Sequence, residues 1–289
     1  MPAGERTESL VPVAGGAAEL HGRAVHEPFG ETLRPRGTGA ILDVASDLLR
    51  ARFLACGGIA FAVGLGGWTT AEFVLVPAWL EVSDPVTALL LSQVTLPFFH
   101  ALVLAAAAPI SVLAAATMRG HPVTLGAAVR RALRRAPALA FASAPLLVAE
   151  LFIPVCCVLP APALWCLFFP IAQVAVLDRV PLTRVFARSF ELTLRPFSDA
   201  MALAALTLAF ALPFAVFTLS ARALSAWIAP MLPASLAVAE GLRVVLSSFF
   251  LAVPTAFVAI VQTVFYLDRR MRRDGLDLLL RLETLGGAA

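Results

Sequence analysis

Arg184, Arg188, Glu191 and Arg195 recur at helical spacing in LTRVFARSFELTLRPF, residues 182–197, with Leu182, Phe186, Phe190 and Phe197 on the opposite side. A second stripe, Arg130, Arg131, Arg134 and Arg135, stands in PVTLGAAVRRALRRAP, residues 122–137. A guanidinium is a planar fork of N–H donors that grips phosphate oxygens two at a time. These arginines are therefore candidate ligands for anionic lipid headgroups. They could equally meet acidic groups on neighbouring helices. Glu191 would repel phosphate, and Arg188 or Arg195, one turn away on either side, is its expected partner.

His100 and Glu150 form a different candidate. Each lies about 21 Å along an apolar span, at about 1.5 Å per residue, and so deep in a bilayer. An ionisable pair at that depth suits a proton relay or a polar substrate site. The structural alternative is a hydrogen bond that joins two helices. Glu72, Arg222, Glu240 and Arg243 fall near the far ends of their spans and read as interfacial charges.

Other chemistry is not signalled. No phosphate loop, nucleophile triad or metal motif occurs. The cysteines Cys56, Cys156, Cys157 and Cys166 match no zinc spacing and read as small apolar side chains. Cys157 and Cys166 flank a turn and would pair only in an oxidising compartment. No enzyme activity, cofactor or metal is expected. Anionic lipid accounts for the basic stripes without nucleic acid.

The elements that carry these residues follow from composition. The chain is 60% hydrophobic and 14% charged, with a mean hydropathy of +0.88. Such values lie outside those of ordinary soluble domains, and about 20 apolar residues suffice for one membrane crossing. The expectation is an all-α polytopic membrane protein with six transmembrane helices: about 54–80, 86–118, 136–159, 162–177, 200–228 and 237–267. All 22 basic residues are Arg. They concentrate before the first span, between the second and third, between the fourth and fifth, and after the sixth. Basic residues stay on the cytoplasmic side, so both termini are expected in the cytoplasm of a prokaryotic inner membrane. Residues 1–37 read as a disordered tail, 38–270 as the membrane domain and 271–289 as a cytoplasmic helix or tail.

The cytoplasmic segments have helical periodicity of their own. Thr38, Thr124 and Thr183 each start a predicted amphipathic interfacial helix, where a Thr oxygen can cap unpaired N–H groups. Ile41, Leu42, Ala45, Leu48, Leu49 and Phe53 form the apolar face of the first. Leu125, Ala128, Val129, Ala132 and Leu133 form that of the second. The chain then reads as three units, each an interfacial helix followed by a two-span hairpin. Small residues in GGIAFAVGLGG, with Ala60–Gly64 and Ala62–Gly66 at the right interval, predict close helix packing.

Four stretches carry a family resemblance: GTGAILDVASDLLRARF, GHPVTLGAAVRRALRR, VAVLDRVPLTRVFARSFELTL and FYLDRRMRRDGLDLLL. The third holds Asp178 and the run Arg188-Ser189-Phe190-Glu191-Leu192. The fourth holds Tyr266, Asp268, Arg270, Gly275 and Asp277. Together they resemble a family of bacterial and archaeal integral membrane proteins named after the membrane domain of glycerophosphoryl diester phosphodiesterase. The resemblance implies the membrane architecture and no assigned molecular activity. The catalytic domain that gives the family its name is not expected in these residues.

The expected function is that of a non-enzymatic integral membrane protein. It would bind anionic headgroups, or a membrane protein partner, at its inner face and act in envelope upkeep or as a scaffold. The alternative is a small transporter with a midplane polar site. A polar cavity joining His100, Glu150 and Gln173 would favour transport; a packed interior with charge at the inner rim would favour the scaffold.

Overall fold

The computed structural model describes residues 36–71, 73, 85–121, 123–156, 166, 168–178, 180–194, 197–228 and 236–274. Among them the chain is all helical: α1 (Thr38–Thr70), α2 (Pro85–Met118), α3 (Leu125–Arg134), α4 (Ala136–Cys156), α5 (Ile171–Leu177), α6 (Leu182–Leu194), α7 (Phe197–Ile228) and α8 (Leu236–Asp274). Four segments are long and apolar enough to cross a membrane: Thr38–Thr70, Phe98–Met118, Phe197–Thr218 and Gly241–Arg273. They mark a membrane-embedded protein.

The predicted first interfacial helix and first span are one bent helix. Arg52 leaves helical geometry, with φ −126° and ψ 23°, and so divides α1 where the amphipathic segment meets the apolar one. Ile41, Ala45 and Leu48 are buried from the first part, as its apolar face requires. Thr38 is not the cap: Gly37 is, without a side-chain hydrogen bond. Residues before 36, the predicted tail, lie outside the described residues, as do 275–289.

α8 is the organising element. Its 39 residues would extend roughly 58 Å at about 1.5 Å per residue, well beyond a hydrocarbon core of roughly 30 Å. Its last turns, from Asp268 to Arg273, carry its cluster of charges. α8 packs against α1, α7 and α2, and its contact with α1 is the most extensive in the fold. Close approach is possible because α1 is small-faced: Gly64 sits against Ser248 of α8, and Leu102 of α2 occupies the space where a Cβ on Gly67 would lie. Any side chain at 67 must displace Leu102.

Buried hydroxyls in these apolar helices satisfy themselves. Ser111, Thr117, Ser248 and Thr263 donate to the carbonyls of Ala107, Leu113, Val244 and Ala259, one turn back. Where water is absent, a backbone carbonyl is the available acceptor. Pro213 and Pro254 lie inside α7 and α8 without ending them. Large apolar side chains face outward instead, among them Leu208, Leu212, Phe217 and Phe249. An apolar exterior suits lipid as the solvent.

α5 differs from its expected role. All seven of its residues are buried, so this part of the predicted fourth span touches protein rather than lipid. Residues 157–165 lie outside the described residues. Cys166 is a free, buried thiol; Cys157, its predicted partner in an oxidising compartment, lies outside the described residues.

Candidate functional site

The start of α1, the start of α7 and the end of α5 each meet the end of α8 through charged groups. Asp268, wholly buried on α8, is the hub. Its Oδ1 accepts from the Arg36 backbone N–H at 2.7 Å. Its Oδ2 accepts from Arg272 Nε at 2.9 Å, and Arg272 Nη2 donates to the Arg36 carbonyl at 2.6 Å. The backbone just before α1 is thus clamped on both sides by the end of α8. This is the local reason why Gly37, and not Thr38, opens the helix. The buried Arg36 side chain has its pKa lowered by desolvation, with Asp268 opposing. The neighbouring Arg269 pairs with Asp199 at 2.6 Å and lies 5.0 Å from the Phe265 ring centre. Asp199 occupies the first turn of α7, where the helix dipole favours a negative charge.

A second cluster joins α6 to α8. Asp178, the C-cap of α5, takes Arg270 Nη1 at 3.0 Å and Arg188 Nε at 3.8 Å. The buried Tyr266 hydroxyl accepts from Arg270 at 3.2 Å and is hydrogen-bonded to Asp178. Glu191 is held by Arg273 Nη2 at 3.0 Å and lies 3.7 Å from Arg188 Nη1. Arg273 also donates to the Glu191 carbonyl at 2.8 Å. The expected Glu191–Arg188 pairing is present, and α8 supplies a second, closer cation. Phe186 packs on Phe168, with centroids 4.6 Å apart, and Phe190 is 38% exposed.

α3 is built differently. Thr124 caps it as its type predicts, accepting from the Ala127 N–H at 3.4 Å. Ala128 and Ala132 are buried on the inner face. The helix contains no carboxylate. Arg130, Arg131, Arg134 and Arg135, with Ala127, Val176 and Leu177, line an open cleft of about 410 Å³. Among the described residues no acidic one lines it. Like charges at this spacing repel one another, so the cleft carries a positive field that its own walls do not neutralise. An anion with several oxygens is the chemistry that would.

The residues named from sequence divide into separate places. Arg130, Arg131, Arg134 and Arg135 come together at the cleft. Arg188 is engaged with Asp178 and Glu191; Arg184 is exposed on α6. Arg195 lies outside the described residues. His100 is half-buried on α2, whereas the side chain of Glu150 lies outside the described residues. Gln173 is wholly buried, and its Nε2 donates to Ser111 Oγ at 3.1 Å and Gln262 Oε1 at 3.3 Å. Gln173 therefore binds α5 to α2 and α8. Among the described residues no group of three or more His, Cys, Asp and Glu could hold a metal ion.

Sequence reasoning did not single out Asp268, Asp178 and Asp199 as ion-pair centres. Asp178 and Asp268 stood out only as members of the family-like stretches, and Asp199 not at all. Comparison with protein-family models, curated proteins and solved structures gives no match.

Proposed function

We propose that this is a non-enzymatic, multi-pass protein of a prokaryotic inner membrane that holds anionic lipid headgroups in the α3 cleft, as a scaffold or in envelope upkeep. The observation that carries the reading is the cleft itself. Four arginines face one cavity, and among the described residues no carboxylate lines it. Each basic residue near an anionic surface contributes about 1 kcal/mol. The α3 arginines together suffice to enrich such lipid locally. The same surface would suit an acidic face of a membrane protein partner.

The finer topology is part of this proposal. Six spans, with α4 and the α5 region forming the middle hairpin, put both termini and the charged end in the cytoplasm, as the arginine distribution requires. The amphipathic first part of α1, α3 and α6 lie at the inner membrane surface. The likeness to the membrane domain of glycerophosphoryl diester phosphodiesterase, carried by Asp178, Glu191, Tyr266 and Asp268, supports the same architecture. It supplies no catalytic role.

Two experiments test these parts. Single cysteines in a cysteine-free background should be labelled from outside intact cells at Val82→Cys and Leu232→Cys but not at Gly126→Cys. External labelling at 126 reverses the orientation. For the lipid site, the purified full chain is exchanged into nanodiscs that mix anionic and zwitterionic lipid, and the lipid retained after detergent extraction is measured. Enrichment of the anionic lipid that disappears when Arg130, Arg131, Arg134 and Arg135 are changed to Gln supports the reading. Equal retention by parent and variant refutes it.

A further inference from the structure

A cation outside both stripes, Arg119, lies within electrostatic reach of Arg131 in the cleft. Arg119 is the residue at which α2 ends, and its position is fixed by the turn that follows. Gly120 N–H donates to the Thr117 carbonyl at 3.1 Å, and His121 N–H to Ala116 at 3.0 Å. Gly120 has φ +72°. This pairing, with a glycine in the left-handed region, closes the helix and holds Arg119 on its last turn. The side chain is half-buried, and its Nε is wholly buried without a hydrogen-bond partner. Its electrostatic neighbours include Arg131 of the cleft, Arg270, Tyr266 and Asp178. Asp178 is already engaged by Arg270 and Arg188. Burial above all, with Arg270 and Arg131 adding repulsion, holds the Arg119 pKa below its ordinary value. A buried donor that has lost water and gained no acceptor carries a desolvation cost that a ligand oxygen would remove.

We propose that Arg119 and Arg131 form a subsite for a dianionic phosphate, a phosphomonoester headgroup carried by a lipid. The inference rests on the headgroup reading above and names its chemical class. A phosphomonoester carries about −1.5 to −2 charges at pH 7 and three terminal oxygens. A diester offers one charge and two such oxygens. The α3 arginines can each meet a diester at the surface, but only the second charge repays bringing a phosphate up to the buried Arg119. Ala127, Val176 and Leu177 give the cleft an apolar wall, which suits the glycerol and acyl portion of a lipid and gives nothing to a free phosphate ion.

The test is titration of the detergent-solubilised full chain with short-chain phosphatidic acid, phosphatidylglycerol and phosphatidylcholine, followed by native mass spectrometry. Inorganic phosphate is added as a competitor in a separate arm. The parent should bind phosphatidic acid about tenfold more tightly than phosphatidylglycerol, as one added charge-assisted contact gives. Arg119→Gln should bring the two lipids to parity while binding of phosphatidylglycerol persists, and the surface variant Arg131→Gln should do the same without touching the end of α2. Phosphatidic acid and phosphatidylglycerol binding equally well in the parent, both ahead of phosphatidylcholine, overturns the subsite and leaves the headgroup reading standing. Equal binding of all three lipids overturns both. Retention of the tenfold preference by both variants removes Arg119 and Arg131 from the site. Displacement of phosphatidic acid by millimolar inorganic phosphate assigns the subsite to a soluble anion and overturns the lipid assignment.

Discussion

α3 and α6 are the same sequence device put to different uses. Each follows a Pro-x-Thr or Pro-Leu-Thr start, is amphipathic and carries a row of arginines. In α6 the row meets carboxylates. Glu191 on the helix itself and Asp178 just before it bind Arg188, and Arg270 and Arg273 of α8 close the network. The charges there are spent on fastening α6 to the end of α8. α3 carries no carboxylate, none lines the cleft among the described residues, and its arginines face the cavity. An arginine stripe is thus tied up in ion pairs or left facing a cavity according to where the acids are. The arginine spacing alone does not distinguish the two.

The largest effects should come from the clamp. Asp268→Ala removes the acceptor for the Arg36 N–H and for Arg272, and leaves the buried Arg36 guanidinium without its opposing charge. Breaking a buried pair from one side costs about 3–5 kcal/mol, so thermal unfolding in detergent should shift by well over the scatter of surface variants. Asp178→Ala should fall in the same range, because Arg270, Arg188 and Tyr266 all lose a partner. A shift near zero for both would mean that the acids do not hold the charged end together.

Next comes Gly120→Ala. A Cβ would meet nothing within 4 Å there, so the cost is conformational alone. The left-handed backbone costs a non-glycine residue about 1–2 kcal/mol. The change should loosen the end of α2 that carries Arg119, seen as faster hydrogen exchange over residues 116–121. Unchanged exchange would argue that the turn is held by its surroundings and not by the glycine.

Smaller still is Glu191→Gln. Arg273 and Glu191 are each nearly half exposed, at 45% and 47%. Pairs of that kind contribute roughly 0.2–1 kcal/mol, and less as salt rises. A loss larger than that of Asp178→Ala would invert the order of the two acids. Smallest in stability is Ala127→Glu, on the exposed side of α3, expected to stay within about 0.5 kcal/mol. It sharpens the contrast directly, because it places in α3 the carboxylate that α6 already has. Anionic-lipid retention should fall while the unfolding temperature holds.

Much of the local structure was legible because it depends on short-range rules. The α3 helix follows from Thr124 as cap and from Ala128 and Ala132 on one face. The bend at Arg52 falls where an amphipathic segment gives way to an apolar one. The close approach of α1 follows from its glycines, although Gly64 and Gly67 make the contacts and no neighbour approaches Gly66. The clamp was not legible. Arg36 and Asp268 are 232 positions apart, and nothing in the spacing of either says that the end of α8 reaches the start of α1. The same holds for Asp178 with Arg270. The burial of Arg119 was not legible either, because a lone arginine after an apolar span reads as an orientation signal. Its burial beside other cations is a property of the packed bundle.

The contrast between the two helices is tested most directly by one measurement of lipid retention on paired variants. The first carries Gln at Arg130, Arg131, Arg134 and Arg135; the second carries Gln at Arg184, Arg188 and Arg195. Both are exchanged into nanodiscs of equal anionic and zwitterionic lipid, extracted and weighed by native mass spectrometry. The first should lose its bound anionic lipid while unfolding at the parent's temperature. The second should keep that lipid and unfold at a lower temperature. Loss of lipid from the second with retention in the first would contradict the assignment of α3 as the binding surface and α6 as the clamp.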